Sequence, residues 1–168
     1  MDPTLRRALD FERWLYDAVV EELIQFRWGV AGFSEELGVM WDLNFVRVDS
    51  NDAPPAAELV ELADRLHRER GQRFRSIPVF DPQAAARLRP SFDELGWHRD
   101  GIVVMVHRRP PDKQPAVVDV RESDEATISE LRDQLRREEK ENDDDVTEEV
   151  LEQWGRLDPI VRRYAGTR

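Results

Sequence analysis

The stretch Ala86-Arg87-Leu88 through Ser91-Phe92-Asp93-Glu94-Leu95-Gly96-Trp97, followed by Gly101-Ile102-Val103-Val104-Met105, decides how this chain is read. Its first half has the apolar spacing of a helix. Asp81-Pro82 ahead of it supplies a start, because an Asp side chain caps free N–H groups and Pro brings a preset φ where its missing donor costs nothing. Pro90 lies inside the run and predicts a break or kink, with the helix resuming through Phe92 and Leu95. Gly96 fits the position just past a helix end, so Leu95 is expected to anchor the helix to a sheet, Gly96 to reverse the chain and Trp97 to cover the junction. Gly101 to His107 then reads as a nearly continuous apolar strand buried on both faces.

Upstream, Leu5, Ala8, Leu9, Phe11, Leu15, Ala18, Val19 and Leu23 recur at helical spacing and predict one amphipathic helix from Thr4 to Ile24. Phe26 to Val30 and Val39 to Val48 alternate in the manner of strands, with a turn around Glu35 to Gly38. The Asp49 to Pro55 cluster is a turn, and Leu59, Leu62, Ala63 and Leu66 mark a second helix that starts at Ala56 and stops near Gly71. Phe74 to Phe80 reads as a short strand. The expected order is α-β-β-α-β-α-β, an α/β (α+β) fold with a central mixed sheet flanked by helices.

Downstream, Pro110 to Pro115 has the composition of a linker. Beyond it Ala116 to Val120 reads as a strand, Thr127 to Arg137 as a helix, and Val146 to Tyr164 as a helix broken near Asp158-Pro159. The implied organisation is one unit over 1–109, a linker over 110–115, and the start of an incomplete second unit over 116–168.

The 168 residues carry 36 acids against 25 bases, a formal charge of −11. That charge repels phosphate backbones and anionic headgroups, which argues against nucleic acid or a membrane surface as partner. The absence of cysteine removes disulfides, thiolate nucleophiles and Cys-based zinc sites, and fits a reducing compartment. Met1-Asp2-Pro3 leads straight into a charged amphipathic stretch without the basic and apolar regions of a secretory signal, so a cytoplasmic location is the expectation.

The element order, and above all the Phe92-Asp93-Glu94-Leu95-Gly96-Trp97 turn leading into Gly101 to Met105, resembles the closing part of a domain of the GNAT N-acetyltransferase superfamily. Val120-Arg121-Glu122-Ser123-Asp124-Glu125-Ala126-Thr127-Ile128-Ser129-Glu130-Leu131 is similar to the opening strand and helix of such a domain. The pair resembles a tandem arrangement whose first unit is degenerate, with Trp41 to Val48 at the central strand. The resemblance implies transfer of acetyl from acetyl-CoA to an amine of a small molecule or peptide.

At two positions the sequence departs from that pattern. A working unit follows its central strand with a glycine-rich loop whose N–H groups hold the coenzyme pyrophosphate. Here Asp49 to Pro55 contains no glycine, two prolines that cannot donate, and the acids Asp49 and Asp52. Where the family often places a tyrosine as general acid stands Phe92, which has no proton to give. Acetyl-CoA is therefore implied by the resemblance while its binding motif is missing, and a non-catalytic binding or dimerisation module is the competing function.

Among single residues, Asp42 is the candidate general base. With Asn44 it is expected on the strand face opposite Trp41, Leu43 and Phe45, facing a substrate cleft, the alternative being an exposed or hydrogen-bonded strand face. Phe26, Trp28, Phe33, Trp41 and Phe45 either line a pocket or fill the core. His67, His98 and His107 show no metal or catalytic spacing. Trp154 sits in a polar segment and needs a cover, the acidic run Glu138 to Glu152 lacks calcium-loop spacing, and an uncompleted second unit predicts self-association.

Overall fold

Asp2 opens the first helix, α1 (Pro3–Val19): its carboxylate accepts from Thr4 N at 2.7 Å, and Pro3 occupies the first helical position. This computed structural model describes residues 2–101, 123–142 and 147–165. The helix ends earlier than its apolar spacing suggests. The β-branched and apolar run that follows enters β1 (Glu22–Phe26), which pairs antiparallel with β2 (Gly29–Phe33), and β2 pairs antiparallel with β3 (Phe45–Val48). Five helices and this three-stranded antiparallel sheet make up the regular structure of the described residues, a mixed α and β fold.

The region read as two strands after α1 thus holds three. Arg27-Trp28 is the tight turn between β1 and β2, where Phe26 and Trp28 stack with ring centroids 4.9 Å apart. Trp41–Leu43 forms a short 3-10 turn, so the strand expected from Val39 begins only at Phe45. The turn before it is held by Glu21, whose carboxylate accepts from Ser34 Oγ at 2.6 Å and from the backbone of Glu35 and Glu36; these donors hold its pKa below the usual range, the Ser34 bond foremost.

Beside β3 the segment 76–80 runs parallel. Val46 N donates to Ser76 O, Val48 N to Pro78 O and Phe80 N to Val48 O, all at 2.8–2.9 Å, and Val48 bridges Val79. This is the extended stretch expected over Phe74 to Phe80, reached from β3 by way of α2 (Ala56–Glu69). Gly71, at φ 69°, ends the connection as expected.

Strand alternation separates two apolar layers. Val46 and Val48 face α2 and α3 (Pro82–Glu94), meeting Ala31, Phe33, Ala56, Leu59, Ala63, Ala84 and Leu88. On the other face lies α1, whose Val19 clusters with Leu37 and Leu43, while Phe45 packs against Tyr16 at 5.7 Å. Burying Phe45 completely contributes on the order of 2–3 kcal/mol.

Asp81 caps α3 through Ala84 N at 2.7 Å, and Gly96 takes φ 73° just past its end, both as read from the sequence. Pro90 does not break the helix. It lies on the exposed side, where water can take the carbonyl that loses its backbone donor. Leu95 does not anchor the helix either, being 49% exposed; Phe92 and Trp97, with rings 5.5 Å apart, hold that end.

The strands expected over 102–107 and 116–120, and the linker 110–115, lie outside the described residues. Beyond them α4 (Glu125–Asn142) is longer than expected, and α5 (Glu148–Ala165) continues through the predicted break at Asp158-Pro159. Helix α5 leans on the N-terminal unit: Leu157 joins the Val19 cluster and Gln153 Oε1 accepts from Val39 N at 2.9 Å. Trp154 on the same helix is half-buried.

Candidate functional site

The end of β3 is where the sequence resemblance would place a coenzyme, and a charged network occupies it. Arg47 points from β3 toward α1 and is only 2% exposed. Its Nη1 and Nη2 grip Asp17 at 2.8 and 3.2 Å, and its Nε donates to Asp49 at 3.0 Å. Asp49 also receives Arg13 Nε at 2.8 Å, and Arg13 reaches Asp10 at 3.0 Å. The Arg47 guanidinium also lies 5.5 Å from the rings of both Phe45 and Phe80.

Asp49 is therefore not the bare anion its sequence position suggests, but its neutralising cations are already spent. The sequence carried a signal of this: Arg47 stands inside the apolar run Phe45-Val46-Arg47-Val48, and a buried guanidinium demands carboxylate partners.

The loop after β3 is closed by α3. Arg87 Nε donates to Asn51 Oδ1 at 3.1 Å, and its Nη2 to the carbonyls of Asn51 and Ala53 at 3.1 and 2.8 Å. Helix α2 begins behind Pro55 without a side-chain cap.

Acetyl-CoA does not fit these residues. The loop presents carbonyl oxygens to Arg87 where a pyrophosphate needs N–H donors, and Pro54 and Pro55 have none to offer. The strands that would part to admit an acetyl group are joined by hydrogen bonds as far as Phe80. Phe92, at the position of the expected acid, turns its ring into the cluster around Val48 and Leu88.

Asp42 is not on a strand face. It belongs to the 3-10 turn, where it is exposed, and Asn44, expected beside it on the cleft, is fully buried. Asn44 donates to the carbonyls of Leu37 and Met40 at 2.8 and 2.9 Å, and its Oδ1 accepts from Ser34 N and Gln72 Nε2. Every bond Asn44 makes is structural. The turn also carries Trp41 out of the core, to 54% exposure, while Phe33 and Phe45 are buried and Phe26 and Trp28 half-buried.

What Asp42 does meet was not apparent from the sequence. Partial loss of water, then the negative charge of Glu12 on α1, raises its pKa above the usual carboxylate range. Tyr16 feels both charges; burial first, then Asp42 and Glu12, pushes its hydroxyl up to about 12. Two carboxylates and a neutral phenol thus act on one another electrostatically beside α1. Glu12 also borders a cavity of about 590 Å³ lined by Leu5, Leu9, Phe80, Phe92 and Trp97. A carboxylate of raised pKa is a better proton acceptor, but nothing here supplies an acyl donor.

Histidines do not join this site. His67 is buried at the far end of α2, His98 is exposed beside Asp100 at 3.1 Å, and His107 lies outside the described residues. Among the described residues no three His, Asp or Glu side chains converge as a metal-binding set, and no helix is long and apolar enough to cross a membrane. No family model matches the chain, and no curated protein or solved structure is significantly similar to it.

Proposed function

We propose that residues 1–109 are a GNAT-like unit that has given up acetyl-CoA and works as a binding module, and that any acetyl transfer to a small-molecule or peptide amine belongs to a second unit opening near residue 116. The observation that carries this reading is the Arg87 brace, which ties α3 to Asn51 and Ala53 across the place a coenzyme would enter. The element order supports the family assignment: β3 is flanked by antiparallel β2 and parallel 76–80, with α2 making the crossover and the Gly96 turn following α3. On this reading Asp42 is a vestige of an acceptor site and no longer a working base. The cytoplasm is the compartment that suits a cysteine-free chain of this kind.

Isothermal titration of acetyl-CoA into the whole chain at low ionic strength tests the proposal. No saturable heat is expected up to about 1 mM ligand, a limit that corresponds to roughly −4 kcal/mol. Saturable binding below that limit would restore the acetyltransferase reading for residues 1–109 and return Asp42 to the position of general base.

A dimerisation role is favoured by a separate observation. Leu131 and Leu135 are one helical turn apart on α4 and both exposed. Self-association through this face predicts a dimer mass in native mass spectrometry, reduced to the monomer by Leu131→Glu with Leu135→Glu; a monomer at every concentration tested would remove the role.

A further inference from the structure

The C-terminal turn of α2 and the loop after it are basic on an acidic chain. Arg65, Arg68, Arg70, Arg73 and Arg75 crowd there against Asp64 and Glu69, while the whole protein carries −11. Arg70 is engaged, donating to Glu22 at 2.6 Å and to the Leu66 carbonyl, and Arg75 pairs with Asp64. The guanidinium groups of Arg68 and Arg73 have no hydrogen bond or ion pair among the described residues. The carbonyls of the last helical turn do not oppose a bound anion, since Arg70 N, Gly71 N and Gln72 N cover His67 O and Arg68 O at 3.0–3.1 Å.

A pocket of about 150 Å³ opens here, with exposed Arg68, Arg73 and Arg75 outermost, Asp64 on its wall with its charge offset by the pair with Arg75, and His67 and Gln72 within. His67 is 1% exposed and sits edge-on between Phe33 and Phe74, at 5.3 and 5.7 Å. Neither ring nitrogen has a hydrogen-bond partner. Gln72 Oε1 is likewise buried and unpaired, its Nε2 being committed to Asn44. Buried polar groups left in this state are costly, and a bound partner would relieve that cost. Gln72 lies near enough to favour a proton on His67, but pairing with it would satisfy only one ring nitrogen. Held neutral, His67 offers one N–H and one lone pair.

We infer that this pocket is an oxyanion site for hydrogen phosphate or the monoanion of a phosphoryl monoester, each of which keeps a P–OH, with Arg68, Arg73 and Arg75 donating to its oxygens and His67 and Gln72 reading its proton. The arginines supply charge-assisted donors of the geometry that phosphate oxygens accept. The inner pair presents acceptor lone pairs, which a P–OH group can satisfy and a fully deprotonated anion cannot. The pocket lies at the opposite end of α2 from loop 49–55, about 20 Å along a helix of 14 residues, so the site is independent of the acetyltransferase reading.

Titration of inorganic phosphate into the whole chain at constant ionic strength, followed by calorimetry and by the imidazole nitrogen resonances of His67, tests the site. Saturable binding with Kd of about 1 mM or tighter is expected, with sulfate about tenfold weaker and a shift of the His67 signals on phosphate addition alone. Arg73→Ala, which removes an exposed unpaired side chain and leaves the fold intact, is expected to weaken phosphate about tenfold, the loss typical of one charged hydrogen bond. At about pH 5.5, where a monoester keeps its P–OH, O-phosphoserine binding more tightly than phosphate assigns the site to a monoester, and equal or weaker binding to the free ion. Absence of saturable binding, or phosphate and sulfate behaving alike and indifferent to Arg73→Ala, would overturn the site.

Discussion

Arg47 and Asp17, 30 positions apart, are joined by two hydrogen bonds of 2.8 and 3.2 Å that fasten β3 to α1 across one face of the sheet. The remaining donor edge of Arg47 goes to Asp49, which Arg13 of the same helix also reaches. The helix is thereby clamped on both sides of the strand's end, and the carboxylate that begins the loop is locked in place. What resembles a coenzyme mouth in the sequence is in the structure a closed ionic joint.

Breaking that joint from its buried member is costly. Arg47→Ala removes both hydrogen bonds that Asp17 receives from it and leaves Asp49 with Arg13 alone, and is expected to lower unfolding stability by about 3 kcal/mol, read from urea denaturation. Arg47→Lys keeps the charge but not the fork, and recovers less than half of the loss. A cost for Arg47→Ala near that of an exposed ion pair, below about 1 kcal/mol, would show that the clamp is not needed for stability.

His67 is expected to make the fold sensitive to acid. Burial pushes its pKa from 6.5 down to about 4, so protonation favours the unfolded chain. The sign follows from the proton count: above pH 6.5 neither state binds the proton and the full stability is present. As the pH falls toward 4 the unfolded chain takes up a proton that the folded one refuses, and stability declines by on the order of 2 kcal/mol. Urea midpoints measured across that window should fall in the parent protein and fall less steeply in His67→Leu. Parallel curves would mean that another group governs the acid transition.

Much of this fold is legible in the sequence because single residues specify it. Asp81-Pro82 starts α3, Gly71 and Gly96 end their helices with positive φ, and Leu59, Ala63 and Leu66 mark the buried side of α2. Other features depend on partners distant in sequence. Trp41-Asp42-Leu43 alternates like a strand but turns, since Asn44 satisfies two carbonyls of that turn and the Ser34 N–H in one place. Helical spacing through Leu23 and Ile24 gives way to β1 because β2 offers a pairing edge. At the candidate site, the sequence singles out Asp42 but not Glu12 or Tyr16, which are coupled to it electrostatically from a helix whose placement only packing determines. The helix end after α3 was assigned to Leu95 when Phe92 and Trp97 do the packing: position after a helix is readable, and side-chain direction is not.

Gly29 is a site of close backbone approach. A Cβ there would lie 1.9 Å from the Arg47 carbonyl oxygen, a backbone atom that can move only with β3. Gly29→Ala must separate the β2–β3 pair at Val48 and is expected to cost about 3 kcal/mol or more, whereas Gly38→Ala, whose nearest neighbour is at an ordinary 3.5 Å, should change stability by less than about 0.5 kcal/mol. Thermal unfolding of the two variants makes the comparison directly; similar melting temperatures would place Gly29 outside the strand register described here.

Arg87 separates two explanations for the missing coenzyme site, obstruction and absence. If the brace merely blocked a competent groove, Arg87→Ala would open it, and acetyl-CoA would bind the variant. The chemistry of the loop argues for absence: with Arg87 gone, Pro54 and Pro55 still lack N–H groups. Arg87→Ala is therefore expected to leave acetyl-CoA binding undetectable in calorimetry. Stability should drop by about 1 kcal/mol, since the three lost hydrogen bonds lie near the surface, and backbone hydrogen exchange at Ala53 and in the first turn of α2 should accelerate about fivefold. Saturable binding of acetyl-CoA to the variant alone would identify Arg87 as a plug in a working groove, and residues 1–109 would then be an acetyltransferase unit held shut by one side chain.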